Sequence, residues 1–161
     1  SKERVPLMAS GLFCETFEAA LKRDISLDLD TDTFKCLLTT ASFNPTASNY
    51  ETMSTMNDVT NELPASGGYT TGGKTLTGVT FASSSDGTGT LKFDAADVEW
   101  TASTLSGVAR AVVYDDTLYA STGTNKCLIA CIDFNGAFST TSGTFKIQWN
   151  AAGIFTLDLV P

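Results

Sequence analysis

The residues of this chain best placed by type and spacing to do chemistry are carboxylates in short runs. Asp28, Asp30 and Asp32 form a D-x-D-x-D run. Calcium loops begin this way, with alternate side-chain oxygens converging on a hard cation. Such a loop also needs glycine at its sixth position and a bidentate glutamate at its twelfth. Thr33 and Thr39 stand there instead, so the expectation is a solvated strand end with its carboxylates turned outward. Asp94, Asp97 and Glu99 surround Trp100 in FDAADVEW. Paired carboxylates beside a tryptophan can make a glycosidase, but acidic residues also guard strand edges against unwanted pairing, and that is the expected role. Asp115 and Asp116 in YDDT are expected to form the turn after a strand.

Nucleophilic catalysis finds little support. The chain has no histidine, so a serine or cysteine nucleophile would lack its usual base, and no S-x-x-K run offers a lysine in its place. GGYTTGG is glycine-rich but lacks the Lys-Ser/Thr ending of a phosphate loop, so its glycines are expected to serve turns and close backbone approach. The four cysteines are Cys14, Cys36, Cys127 and Cys131. Cys127 and Cys131 lie four apart on one apolar strand, KCLIACIDF, which places them on one face about 13 Å apart, too far for a disulfide. Without a second pair or a histidine, zinc is not expected. All four are read as reduced thiols that pack as small hydrophobes, as in a protein made in a cytoplasm. Trp100 and Trp149 could stack on sugars, but core packing is the expected role. No enzyme activity, metal or cofactor is expected.

Net charge is −8, and the ten Lys and Arg residues are scattered. Phosphate backbones repel such a surface, so nucleic acid is not an expected partner. No apolar run has the length of a membrane helix, and a membrane is not expected either. The start, SKERVPLMASG, lacks the long apolar stretch of a secretion signal, and a first residue of serine is what removal of an initiator methionine leaves.

The elements that must position these residues are mostly strands. From about Gly68 to Leu159, short β-branched and aromatic runs alternate with Gly, Ser, Thr and Asp. Leu91, Phe93 and Ala95 alternate, as do Val98 and Trp100. Phe145, Ile147 and Trp149 share a face opposite Lys146 and Gln148. ARAVVYDDT is apolar on both faces, as a central strand would be. Upstream, Ser10 is expected to cap a helix over Gly11 to Arg23, with Leu12, Phe13, Phe17, Ala20 and Leu21 as its apolar stripe and Lys22 and Arg23 at its C-terminal end. A period of two from Ile25 predicts one long or bent strand through ISLDLDTDTFKCLLTT, or two strands joined near Asp30 to Asp32. SFNPTASNY reads as a loop, and Glu51 to Glu62 as a short helix carrying Met53, Met56 and Val59. The fold class expected is mainly β (α+β): a β-sandwich domain over 10–161 that includes the helix over 11–23, preceded by an extended N-terminal arm over 1–9. The arm is too polar to fold alone. Lys2, Arg4, Val5, Pro6 and Leu7 are its candidate partner-binding residues.

Several blocks together carry a resemblance: DLDTDTFKCLLTT, NPTASNY, DVTNELPASGGYTTGGKTL, FDAADVEW, ARAVVYDDT, LIACIDF and GTFKIQWNAAGIFTLDL. From Leu12 onward the chain resembles a family of small virion structural proteins of tailed bacteriophages. That resemblance implies a capsid decoration (cement) protein, assembled in the host bacterial cytoplasm and carried on the capsid exterior. Its implied partners are the major capsid protein and copies of itself, with a trimer expected by analogy. A tail or receptor-binding module that grips a host surface glycan is the alternative. The resemblance brings no active site with it.

Overall fold

The computed structural model describes residues 10–122 and 126–160, and the fold is mainly β, as expected. In chain order the elements are β1 (Gly11–Leu12), α1 (Cys14–Leu21), β2 (Phe34–Thr39), α2 (Ala47–Thr52), a 3-10 turn (Met56–Asp58), β3 (Lys74–Thr75), β4 (Thr80–Ser83), β5 (Thr90–Asp94), β6 (Val98–Ser103), β7 (Val108–Asp115), α3 (Asp116–Thr122), β8 (Leu128–Phe138), β9 (Gly143–Ile147) and β10 (Phe155–Asp158). The strands form three antiparallel sheets, ordered β1-β8-β7-β2-β3, β10-β5-β4 and β6-β9.

The centre of the five-stranded sheet is buried on both faces. All eight residues of β7 are buried, and β7 pairs with β2 on one side and β8 on the other. This is the central strand that its two apolar faces predict. On one face, Phe34, Cys36, Leu38, Ala111 and Val113 pack with Phe93 of β5, Val98 and Trp100 of β6 and Ile147 of β9. The two smaller sheets therefore supply the second layer of the sandwich. On the opposite face, Leu37, Val112, Tyr114, Leu128 and Cys131 pack with Phe13 and Phe43 and with Leu118 of α3. Tyr50, Met53 and Met56 close over that side.

The N-terminal half departs from its expected elements, and local chemistry explains each departure. The helix does not begin at Gly11. Gly11 and Leu12 pair with Cys131 and Ala130 of β8, and the Phe13 N–H donates to the Ile129 carbonyl. Pairing to a preformed sheet edge outweighs helix propensity here. Gly11 also admits the Tyr50 ring, which a Cβ would meet at 2.7 Å. The helix ends at Leu21, two residues before Arg23 takes a left-handed φ of 64°. Lys22 and Arg23 therefore lie beyond the last turn, and Leu21, expected in the apolar stripe, is exposed.

The strand expected from Ile25 begins only at Phe34. Asp28 Oδ1 accepts the N–H groups of Asp30 and Thr31, and Asp32 Oδ2 accepts that of Asp28. Aspartate side chains that bond to their own backbone hold it in a turn and out of a sheet ladder. Likewise Ala47 to Tyr50, expected in a loop, open α2. Thr46 caps that helix, its own N–H donating to Asn49 Oδ1. The helix expected over Glu51 to Glu62 does not form as one: Glu51 and Thr52 end α2, and only the Met56–Asp58 turn follows, because Asp58 Oδ2 takes the N–H groups of Ser54 and Thr55. YDDT is not a simple turn: Asp115 ends β7 and Asp116 opens α3.

Candidate functional site

The most site-like feature is an open groove of about 450 Å³ beside β9. Its walls include Phe134 and Phe138 of β8, Phe145 and Ile147 of β9, and Trp149 and Ile154 beyond that strand. Ser10, Lys146, Gln148 and Asn150 supply polar groups to it. The pattern F-K-I-Q-W builds the wall, since a strand sends alternate side chains to one face. Ile147 is buried beneath, while Phe145 and Trp149 are only partly buried.

The walls are braced from the core. Trp100, 1 % exposed, has its ring centroid 6.1 Å from that of Phe145, and Phe145 lies 5.7 Å from Phe134. Tyr69 stands behind Trp100 at 6.2 Å. Trp149 is pinned at two points: its backbone N–H donates to Asp97 Oδ1 at 3.1 Å, and its indole Nε1 donates to the Ala96 carbonyl at 3.1 Å. The core role expected of both tryptophans holds fully only for Trp100, since Trp149 is only partly buried against the core. Trp100 is core, and Trp149 is groove wall. Phe138, at the far end, is 49 % exposed.

None of Asp94, Asp97 and Glu99 lines this groove. Asp94 Oδ1 accepts the Ala95 N–H, and its Oδ2 stands 3.9 Å from Lys92 Nζ. Asp97 holds Trp149 with one oxygen and stands 3.4 Å from Lys146 Nζ with the other. Glu99 is exposed, and its backbone carbonyl accepts Lys74 Nζ. Lys74 in turn lies 5.8 Å over the Trp100 ring. Asp94 and Asp97 are thus engaged in local hydrogen bonds and ion pairs.

The glycine loop is likewise committed to the fold. The Gly72 N–H donates to the carboxylate of Glu62, and the Gly72 carbonyl accepts the Tyr114 hydroxyl at 2.7 Å. An anion of the chain itself already takes the donor that a phosphate would need. The Tyr69 hydroxyl accepts the Leu38 N–H at 3.0 Å, tying the loop to β2.

Among the described residues, no three of His, Cys, Asp and Glu gather as metal ligands. Cys36, Cys127 and Cys131 are buried free thiols, and Cys14 is exposed, against the expectation of burial for all four. Cys127 and Cys131 belong to one cluster, as their spacing predicts, although Cys127 just precedes β8. No helix among the described residues is long and apolar enough to cross a membrane. Lys2, Arg4, Val5, Pro6 and Leu7 lie outside the described residues. The groove residues Phe134, Phe138 and Ser10 were not singled out by sequence reasoning as a site. The shared face of Phe145, Ile147 and Trp149 was the available signal.

Compared with protein-family models, curated proteins and solved structures, the chain matches none.

Proposed function

We propose that this chain is a structural protein of a tailed-phage virion: a decoration protein that binds the shell of major capsid protein from outside and stabilises the head. The observation that carries this reading is the braced aromatic groove with half-exposed Phe138 at its end. An apolar surface held rigid by its own core is suited to docking against another surface. The sequence blocks that resemble virion proteins support the same reading, and a net charge of −8 suits a protein that must stay in solution until it assembles. Its role is to hold, with the major capsid protein and further copies of itself as partners.

Copy number per particle tests this directly. Particles purified from the encoding virus should carry hundreds of copies in icosahedral positions, and heads that lack the protein should burst at lower temperature. Absence from particles, or unchanged head stability without it, would sink the proposal.

One observation favours a second reading, a tail or receptor-binding module. Trp149 presents an aromatic wall with the amides of Gln148 and Asn150 beside it, a combination that can stack on and hydrogen-bond to a sugar. A few copies per virion together with glycan-array binding would favour it, and hundreds of copies would exclude it.

A further inference from the structure

We infer that Asn135 is a site of spontaneous modification, where attack by the Gly136 nitrogen converts the asparagine to aspartate and isoaspartate. Asparagine is a thermolabile residue, and its amide is lost fastest where the next residue leaves its backbone nitrogen unhindered. Of the asparagines in the chain, only Asn135 is followed by glycine. Asn44 precedes Pro45, whose nitrogen has no proton to lose. The fold leaves the reactive pair open. Asn135 and Gly136 are both exposed, near the end of β8. The β7–β8 register jumps from Arg110 opposite Asp133 to Val108 opposite Phe138, so residues 134–137 stand against Ala109 alone. Such a bulge takes its extra residues out of the ladder. On the other side, β1 pairs with β8 no further than Cys131. Asn135 has a left-handed φ of 56°, a region that asparagine enters more readily than most side chains. Among the described residues its side-chain amide has no hydrogen-bond partner that must be given up before the ring closes.

Water is the one co-reactant. The Gly136 nitrogen gives its proton to hydroxide and bonds to Asn135 Cγ. The bond from Cγ to the amide nitrogen breaks, ammonia leaves, and a five-membered succinimide remains in the chain. Water then opens the ring at either carbonyl carbon. Opening at Cγ gives aspartate, and opening at the main-chain carbon gives isoaspartate. Both products carry a carboxylate where the amide stood. The new charge lies beside Asp133, which already bonds the Asn135 N–H and pairs with Arg110. It also lies between Phe134 and Phe138, two walls of the aromatic groove. Isoaspartate adds a methylene to the main chain between those rings, so an aged chain presents an altered groove. The reaction itself does not depend on what docks there. Nor does the fold demand the glycine. Gly136 lies outside the left-handed region, and a Cβ on it would meet only Phe138 ring carbons at 3.6 and 3.7 Å, an ordinary contact.

Incubation of the folded full chain in warm, mildly alkaline buffer, followed by digestion and mass spectrometry, tests this. The peptide that holds Asn135 should gain the mass of NH2 replaced by OH while peptides with the other asparagines keep theirs. Protein isoaspartate methyltransferase should label the same peptide. Asp86-Gly87 can close the same ring, but without a change of mass, so it is not confused with Asn135. Gly136→Ala should fold as the natural chain does and should lose most of the conversion. Conversion of Asn135 in denaturant but not in the folded chain would overturn the proposal, because the bulge would then be protecting the pair. Earlier conversion of another asparagine, or undiminished conversion in Gly136→Ala, would overturn it as well. These readouts use the isolated chain, so their failure leaves the virion assignment untouched.

Discussion

Arg110 and Asp133 face each other across β7 and β8, their charged groups 3.3 Å apart, with side chains 8 % and 9 % exposed. The guanidinium does more than pair. One nitrogen donates to the carbonyls of Ala41 and Phe43, and the other to Asn44 Oδ1 as well as to Asp133. One side chain thus fastens the loop before α2 to the middle of the sheet. Arg110→Ala should destabilise the fold by about 3–5 kcal/mol, because it leaves a buried carboxylate and several acceptors without their donor. Replacing both partners by apolar residues should cost less than Arg110→Ala alone. Urea denaturation of the single and double variants measures the difference, and equal losses would refute the account.

Asp115 is a carboxyl placed where its charge is unwelcome. It is fully buried at the junction of β7 and α3. Its Oδ1 accepts the Leu118 N–H, but its Oδ2 is buried without a partner. Burial first, then the neighbouring Asp32 carboxyl, push its pKa from 3.8 up to about 8. The folded protein therefore holds a proton there that the unfolded chain releases above about pH 4. This contribution to stability is fully present at low pH and is lost as pH rises toward about 8. Asp115→Asn keeps the Leu118 acceptor and removes the charge. It should flatten the decline of the urea midpoint between about pH 4 and about pH 8. A variant whose midpoint falls as steeply as that of the natural chain would show that another group is responsible.

The β half was legible because its signal is period two, and a buried sheet must obey that period. β7 could be read as central from Ala111, Val112, Val113 and Tyr114 alone, since only a strand covered on both faces is apolar at consecutive positions. The first sixty residues were less legible because side chains there decide the backbone. Asp28, Asp32 and Asp58 each accept N–H groups that a strand or helix would otherwise have used. Gly11 and Leu12 match a helical stripe as well as they match a strand, and only the edge of β8, more than a hundred residues away in sequence, decides between them. The groove was half visible. The face shared by Phe145, Ile147 and Trp149 appears in the spacing, but nothing local says that Phe138 would be left half exposed beside it.

The thiols should sort by burial. Cys14 is exposed, whereas Cys36, Cys127 and Cys131 are buried and unpaired. Burial is the leading cause that raises the buried three, to about 12 for Cys127 and about 11 for Cys131. Because the thiolate is the reactive form, these three are doubly protected. A thiol reagent near neutral pH should label one cysteine in the folded chain and all four in denaturant. Mass spectrometry after digestion should place the single label on Cys14, and fast native labelling of Cys127 would contradict the buried arrangement.

Two glycines with similar backbone angles should respond very differently to a methyl group. Gly73 has φ +77° and Gly87 has φ +81°. Either alanine would bear the left-handed penalty of about 1–2 kcal/mol. At Gly87 a Cβ meets nothing within 4 Å, so that penalty should be the whole effect. At Gly73 a Cβ would lie 1.9 Å from the Cys36 carbonyl oxygen and 2.6 Å from Leu37 Cα, both backbone atoms of β2. A sheet strand cannot yield as a side-chain tip can, so the β2–β3 pairing at Cys36 and Lys74 must give way. The Tyr114 bond to Gly72 is expected to be lost with it. Gly73→Ala should therefore cost more than about 4 kcal/mol, the range reserved for disruption of a core or of special backbone geometry. Thermal melts of the two alanine variants side by side decide the point. Equal shifts in Tm would mean that the glycine loop does not press on β2 as its geometry requires.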